Sequence, residues 1–107
     1  MIAHVILFKP KGELSDVERQ ALLGQLTAAA RGISSIKRLR IGKRITHGLP
    51  GYEQAMREDF QFSMIVEVDD LEGLKAYLAH PLHKAIGQHF TQSSSAALAY
   101  DYELQDL

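Results

Sequence analysis

The stretch from Phe60 to Asp69 constrains the fold more than any other part of the chain, because apolar and polar positions nearly alternate along it. In a β-strand, successive side chains point to opposite faces of the sheet. One face of this stretch would be wholly apolar, and the other would mix polar residues with an isoleucine. The apolar face consists of Phe60, Phe62, Met64, Val66 and Val68. The pattern predicts a strand with one face in a hydrophobic core, so the chain also needs a layer that covers that face.

The segment after Lys11 supplies one such layer. Ser15 and Glu18 have the spacing of a capping box, in which a serine and a glutamate satisfy the free N–H groups at a helix start. Apolar residues then recur at helical spacing, which predicts a helix from Asp16 to about Arg31. Gly32 is well placed to end it.

A second helical region follows Asp70 and is interrupted by a proline. Its first part carries Leu71, Leu74, Tyr77 and Leu78. The residue before a proline avoids the helical conformation, so the helix should break at His80. Proline suits the first position of a helix, which predicts a new helix from Pro81 to about Phe90 and then a loop over residues 92–95.

Three further strands complete the predicted order. They span Ile2–Lys9, Ile36–Thr46 and Ala97–Leu104, and Gly42 predicts a bend or bulge in the second. The connection over residues 47–59 is long enough to hold a helical turn. The order βαββαβ predicts an α+β, ferredoxin-like fold, with a four-stranded antiparallel sheet that has helices on one face only. A length of 107 residues fits a single domain over residues 1–107.

The first strand is apolar on both faces, which a sheet with helices on one face does not explain. Ala3, Val5 and Leu7 alternate with Ile6, Phe8 and other residues of the predicted helix-facing side. A second copy of the sheet is the simplest cover for them. The sequence therefore predicts a homodimer whose two sheets form an α/β barrel.

Composition removes several classes of function. There is no cysteine, which excludes disulfides, thiolate catalysis and zinc–cysteine sites. A net charge of −1 gives no electrostatic footprint for nucleic acid or for an anionic membrane. The apolar start of the chain is too short for a membrane span or a signal peptide, and a cytoplasmic location is expected.

Tyrosine and histidine are the candidate chemical groups. His4 should face the helices, either as a buried histidine satisfied by a hydrogen bond or as a polar group in a pocket. His83 should point inward, and Tyr77 is either a core residue or the acid–base partner of His83. His80 should cap the following helix. A metal site built on His80 and His83 has only weak support from their spacing, so neither a metal nor a cofactor is predicted.

The sequence resembles the stress-responsive A/B barrel (Dabb) family along nearly its whole length. The resemblance is sharpest at residues 77–83, Tyr-Leu-Ala-His-Pro-Leu-His, which match the family's Tyr-x-x-His-Pro-x-His signature. It also rests on the segments at residues 4–8, 39–43, 66–68 and 100–102.

The resemblance implies a homodimeric barrel but not one activity. One branch of the family comprises plant polyketide cyclases that perform an aldol condensation without a cofactor. The working tyrosine and histidine of that branch match Tyr77 and His83, and its strand-one histidine matches His4. A further pocket histidine falls at Met64, where this chain departs from that branch. Another branch forms stable, stress-associated assemblies.

Three hypotheses follow. In the first, a pocket between sheet and helices binds a small apolar or aromatic carbonyl compound, with His83 as base, Tyr77 as hydrogen-bond donor to the carbonyl oxygen and His4 as an orienting group. The residues expected to contact the ligand are Phe62, Met64, Phe90 and His80. In the second, the chain is a non-catalytic stress or interaction module. The third, a cofactor-free monooxygenase or isomerase, rests on fold analogy alone.

Overall fold

A computed structural model describes all residues from Met1 to Leu107 and confirms the order βαββαβ. The elements are β1 (Ile2–Pro10), α1 (Asp16–Gly32), β2 (Ile36–Lys43), β3 (Phe62–Val68), α2 (Leu71–Ala79), α3 (Pro81–Ser93) and β4 (Ser94–Glu103). The strands form one antiparallel sheet in the order β2-β3-β1-β4. A single 3₁₀ turn, Glu53–Ala55, lies in the connection between β2 and β3.

The predicted capping box begins α1. The Ser15 Oγ accepts a hydrogen bond of 3.1 Å from the Glu18 N–H and donates one of 3.0 Å to the Glu18 carboxylate. Gly32 ends the helix as predicted, and close packing adds a second reason for a glycine there. A Cβ atom at Gly32 would lie 2.6 Å from the Cδ1 atom of Leu82 on α3.

Several strand boundaries differ from the prediction by one to three residues. β2 ends at Lys43 rather than Thr46, and β3 begins at Phe62 rather than Phe60. The predicted bulge at Gly42 is wrong, because the irregularity in β2 lies between Ile36 and Arg38. Gly42 instead stays in register opposite Ser63, where a Cβ atom would lie 2.8 Å from the Ser63 Oγ.

The predicted loop over residues 92–95 is also wrong. α3 continues to Ser93, and β4 begins at the next residue, Ser94. Serines are typical of loops, but here they extend the pairing with β1, where the Ser95 hydroxyl donates a hydrogen bond of 3.2 Å to the Lys9 carbonyl. Tertiary pairing therefore overrides the local preference of the serines.

The hydrophobic core lies between the helices and the inner face of the sheet. Its fully buried members come from β3 and all three helices, and they include Met64, Val66, Val68, Tyr77, Ala29 and Ile86. The helix-facing pattern of β1 is as predicted, since Ile6, Phe8 and His4 are buried.

The outer face of the sheet has no helix over it. Val5 and Leu7 of β1 are half-buried there, and they pair with Tyr100 and Leu98 of β4. Tyr100 and Tyr102 are each more than half exposed. No helix is both long enough and apolar enough to cross a membrane.

Candidate functional site

The break between α2 and α3 is built by His80 and Pro81. Pro81 occupies the first turn of α3, and the His80 Nδ1 accepts a hydrogen bond of 3.1 Å from the Leu82 N–H. The prediction that His80 caps this helix is confirmed. The break also turns the chain so that Tyr77 at the end of α2 and His83 at the start of α3 lie side by side.

Three rings meet under the sheet at this point. The ring centroids of Tyr77 and His83 are 4.7 Å apart, those of His4 and Tyr77 are 5.4 Å apart, and those of His4 and His83 are 6.4 Å apart. All three pairs meet edge to face, an arrangement that aromatic rings favour. The structure thus brings together the three residues that the sequence singled out as catalytic candidates.

A fourth residue, Asp101, joins this cluster from β4. Its carboxylate lies 2.5 Å from the His4 Nδ1, and the two residues are register partners across β1 and β4. A carboxylate can only accept, so the His4 Nδ1 carries the proton and donates it. This bond fixes the orientation of the His4 ring, and it was not predicted from the sequence.

The His83 ring is held in place by a hydrogen bond to the backbone near the end of α2. Its Nδ1 lies 3.0 Å from the Leu78 carbonyl, which can only accept, so the Nδ1 carries the proton. Burial lowers the pKa of His83 below its ordinary value of 6.5, the Leu78 hydrogen bond opposes that shift, and the charge of His4 lowers the pKa further. The neutral ring therefore has an Nε2 lone pair that is able to take up a proton.

Tyr77 is completely buried, and its hydroxyl has no hydrogen-bond partner in the chain. Burial, and to a smaller extent the charge of Asp101, raises the pKa of Tyr77 to about 12. The phenol is therefore neutral at physiological pH and keeps its proton available to donate. A buried donor without an acceptor is unfavourable by about 1–3 kcal/mol, and in native proteins such a group marks strain, an ordered water or ion, or a functional role.

A cavity of about 310 Å³ lies between α3 and the inner face of β1 and β4. His4 and His83 are its polar lining residues, and its apolar wall includes Ile6, Ile86, Phe90, Ala97 and Ala99. The volume is at the small end of the range for ligand sites. An apolar cavity with a few convergent polar groups is the usual form of a small-molecule site.

The cavity lies closer to β4 than the sequence analysis expected. Phe90 lines it, but Met64 is fully buried in the core, Phe62 stacks on Phe8 at the other end of the sheet, and His80 is engaged as a cap. Tyr77 lies beside the cavity rather than in its wall. The space for the cavity comes from three small residues, Ala97, Ala99 and Gly87, which were not predicted as site residues. For the two alanines, the signal in the sequence was the absence of large side chains at the inward-facing positions of β4.

No group of three or more histidine, aspartate or glutamate side chains is placed to hold a metal ion. His80 and His83 both use their Nδ1 atoms in hydrogen bonds to the backbone. The chemistry that this cluster can perform is proton transfer and hydrogen bonding, with an aspartate-oriented histidine, a neutral histidine and a neutral phenol around one apolar space.

The model of the family described as Stress responsive A/B Barrel Domain (Dabb) matches residues 2–104. The chain belongs to this family, as the signature at residues 77–83 predicted. A search of curated proteins gives no significant match.

Solved structures share the fold at low sequence identity. A dimeric ferredoxin-like protein of unknown function from Thermobifida fusca is 20% identical, with 96% of this chain and 90% of that chain covered and a TM-score of 0.74. A hydroxynitrile lyase from Passiflora edulis is 9% identical, with 99% and 94% covered and a TM-score of 0.82. SnoaB, a cofactor-independent oxygenase from Streptomyces nogalater, is 12% identical, with 99% and 94% covered and a TM-score of 0.71.

Proposed function

We propose that this member of the stress responsive A/B barrel family binds a small apolar or aromatic carbonyl compound in the cavity between α3 and the sheet. The observation that carries the proposal is the buried, unpartnered Tyr77 hydroxyl beside an apolar cavity into which His4 and His83 project. A carbonyl oxygen supplies the acceptor that the phenol lacks in the chain.

The same cluster can act on such a compound without a cofactor. The His83 Nε2 would take a proton from the carbon next to the carbonyl group, and the electron pair of that C–H bond would move onto the carbonyl oxygen to form an enolate. Tyr77 would donate a hydrogen bond to the enolate oxygen, where donors stabilise the developing charge most effectively. Attack of the enolate carbon on a second carbonyl carbon, whose oxygen then takes the proton from His83, would complete a cyclase-like aldol reaction. Loss of a leaving group from the carbon β to the carbonyl group, with the His83 proton passing to that group, would complete a lyase-like elimination.

The hydrogen bond to Asp101 gives His4 an orienting role in this scheme. It directs the His4 ring edge to face with the Tyr77 and His83 rings, and it engages the Nδ1 atom of His4 as the donor to the carboxylate. The lyase and oxygenase structures with this fold are consistent with catalytic use of a barrel of this kind.

A second candidate is a non-catalytic dimer module of the stress-response type. It is favoured by the complete burial of Tyr77, which does not itself line the cavity. In that case the three rings and the Tyr77 hydroxyl have only a structural role in the core.

We further propose that the outer face of the sheet is covered by a second copy of the chain. The face presents Val5, Leu7, Leu98, Tyr100 and Tyr102, and relatives with this fold are described as dimeric. Contiguous apolar patches of this kind mark interaction sites.

Calorimetric titration with valerophenone, a phenyl alkyl ketone, tests the proposed ligand class. The wild-type protein should bind it. Tyr77→Phe should weaken binding about tenfold or more, since the loss of a hydrogen bond in a desolvated site corresponds to about 1.4 kcal/mol or more. His83→Ala should also weaken binding, because it removes a ring that lines the cavity. His47→Ala, in the exposed connection between β2 and β3, is the control and should bind as the wild type does. Binding that is unchanged in both site variants would refute the proposal.

A further inference from the structure

Gly87 lies in the middle of α3, where glycine lowers helix stability by about 1 kcal/mol relative to alanine. Its backbone does not have a positive φ. A Cβ atom at this position would meet nothing within 4 Å, unlike at Gly32, where a neighbouring side chain leaves no room. Neither backbone conformation nor close packing therefore accounts for the glycine.

The open space at Gly87 belongs to two cavities that adjoin there. The apolar cavity described above and an outer groove of about 510 Å³ share three lining residues, Leu78, His83 and Gly87. A side chain at position 87 would stand at the junction. The missing side chain thus leaves room for a passage from the surface of α3 to the His83 ring, which lines both spaces.

The outer groove differs in chemistry from the cavity it joins. Beyond the shared residues it is lined by Lys84, Gln88, Thr91 and Gln92, all of which are exposed. No carboxylate lies among its lining residues, and the Lys84 ammonium group forms no ion pair within 4.0 Å, unlike Lys9, Lys37 and Lys75. The groove therefore offers one free positive charge and two side-chain amides.

We propose that Leu78, His83 and Gly87 frame the mouth of the ligand site, and that the ligand is an amphipathic carbonyl compound with an acidic group. The apolar part occupies the cavity, the carbonyl group lies near His83, and the acidic group stays in the outer groove against Lys84. This inference rests on the proposed function, because it assumes that the cavity binds a carbonyl compound, and it specifies the class of that compound.

A matched pair of probes tests the acidic group. Valerophenone and benzoylbutyrate are the same phenyl ketone, except that a carboxylate replaces the terminal methyl group in the second. The wild-type protein should bind benzoylbutyrate more tightly by up to about fivefold, the upper limit expected for one exposed ion pair. Lys84→Gln should abolish this preference and leave valerophenone binding unchanged, whereas Lys75→Gln on α2 should keep the preference.

A second pair of variants tests whether Gly87 lies at the mouth of the ligand site. Gly87→Leu should weaken binding of both probes about tenfold or more by filling the passage, and Gly24→Leu in the exposed middle of α1 should have no effect on binding. A Cβ atom at either glycine meets no other atom within 4 Å, so both variants should fold. Circular dichroism checks their folding.

The outcomes separate the two proposals. If valerophenone binds but the wild-type protein shows no preference for benzoylbutyrate, or if Gly87→Leu binds both probes normally, the acidic ligand or the mouth is refuted while the carbonyl site stands. If neither probe binds the wild-type protein, the proposed function itself fails for this class of compound.

Discussion

Asp101 on β4 accepts a hydrogen bond of 2.5 Å from the Nδ1 of His4, which faces it on β1. The pairing connects the last strand of the chain to the first at the point where the Tyr77 and His83 rings also meet. It turns a buried histidine into an oriented one, because a charge-assisted bond is roughly twice as strong as a neutral one.

Asp101→Asn should therefore disturb the site without unfolding the protein. Because the charge of Asp101 raises the pKa of Tyr77, its removal should move that pKa below about 12. Valerophenone binding should weaken severalfold, since His4 loses the charged acceptor that orients it. NMR titration of the Tyr77 ring and calorimetry measure the two effects. Glu103→Gln, the next carboxylate on the same face of β4, should alter neither.

The Tyr77→Phe variant distinguishes a functional role of the Tyr77 hydroxyl from a structural role. The hydroxyl is buried without a partner, so its removal should leave the free energy of unfolding unchanged or raise it by up to about 1 kcal/mol. Urea denaturation gives this value. A loss of stability greater than about 1 kcal/mol would support the non-catalytic module, in which the hydroxyl has a structural role.

The pH dependence follows from the lowered pKa of His83. An NMR titration should give a midpoint below 6.5, and His4→Gln should move it upward but not to 6.5, because burial is the larger cause of the shift. Between 6.5 and that midpoint the unfolded chain binds more protons than the folded one, so stability should fall as the pH decreases through this window. His83→Gln should flatten that part of the stability profile. A wild-type midpoint at or above 6.5 is the opposite of what burial predicts.

The proposed dimer interface on the outer face of the sheet can be tested by the same substitution, valine to glutamate, at two different sites. Val5→Glu places a charge at the centre of that face, opposite Tyr100, and should convert a dimer to a monomer in analytical ultracentrifugation. Val17→Glu, on the exposed start of α1, should leave the dimer intact. A monomeric wild-type protein, or a dimeric Val5→Glu variant, would argue against this interface.

Much of the fold could be predicted from the sequence because its signals are local. The alternation in β3, the capping box at Ser15 and the proline at position 81 each fix an element through its own residues. The prediction was wrong where pairing between distant strands determines the secondary structure. Ser94, for example, joins β4 only because β1 lies beside it.

The aromatic rings of the candidate site could be predicted from the sequence. The hydrogen-bond partner of His4 and the position of the cavity could not. Tyr77 and His83 lie six positions apart around one helix break, so their proximity follows from the local chain. Asp101 could not be paired with His4, because the register between the first and last strands depends on the whole sheet. Met64 was expected in the pocket and is fully buried in the core, because the helices cover β3 more completely than β4.

The central claim, that the cavity between α3 and the sheet binds a carbonyl compound, is tested most directly by an NMR titration of the amide signals with valerophenone. Saturable shift changes should concentrate at Ala97, Ala99 and Gly87, which line the cavity, and they should disappear in His83→Ala. Shift changes confined to the outer face of the sheet, or no saturable change at all, would contradict it.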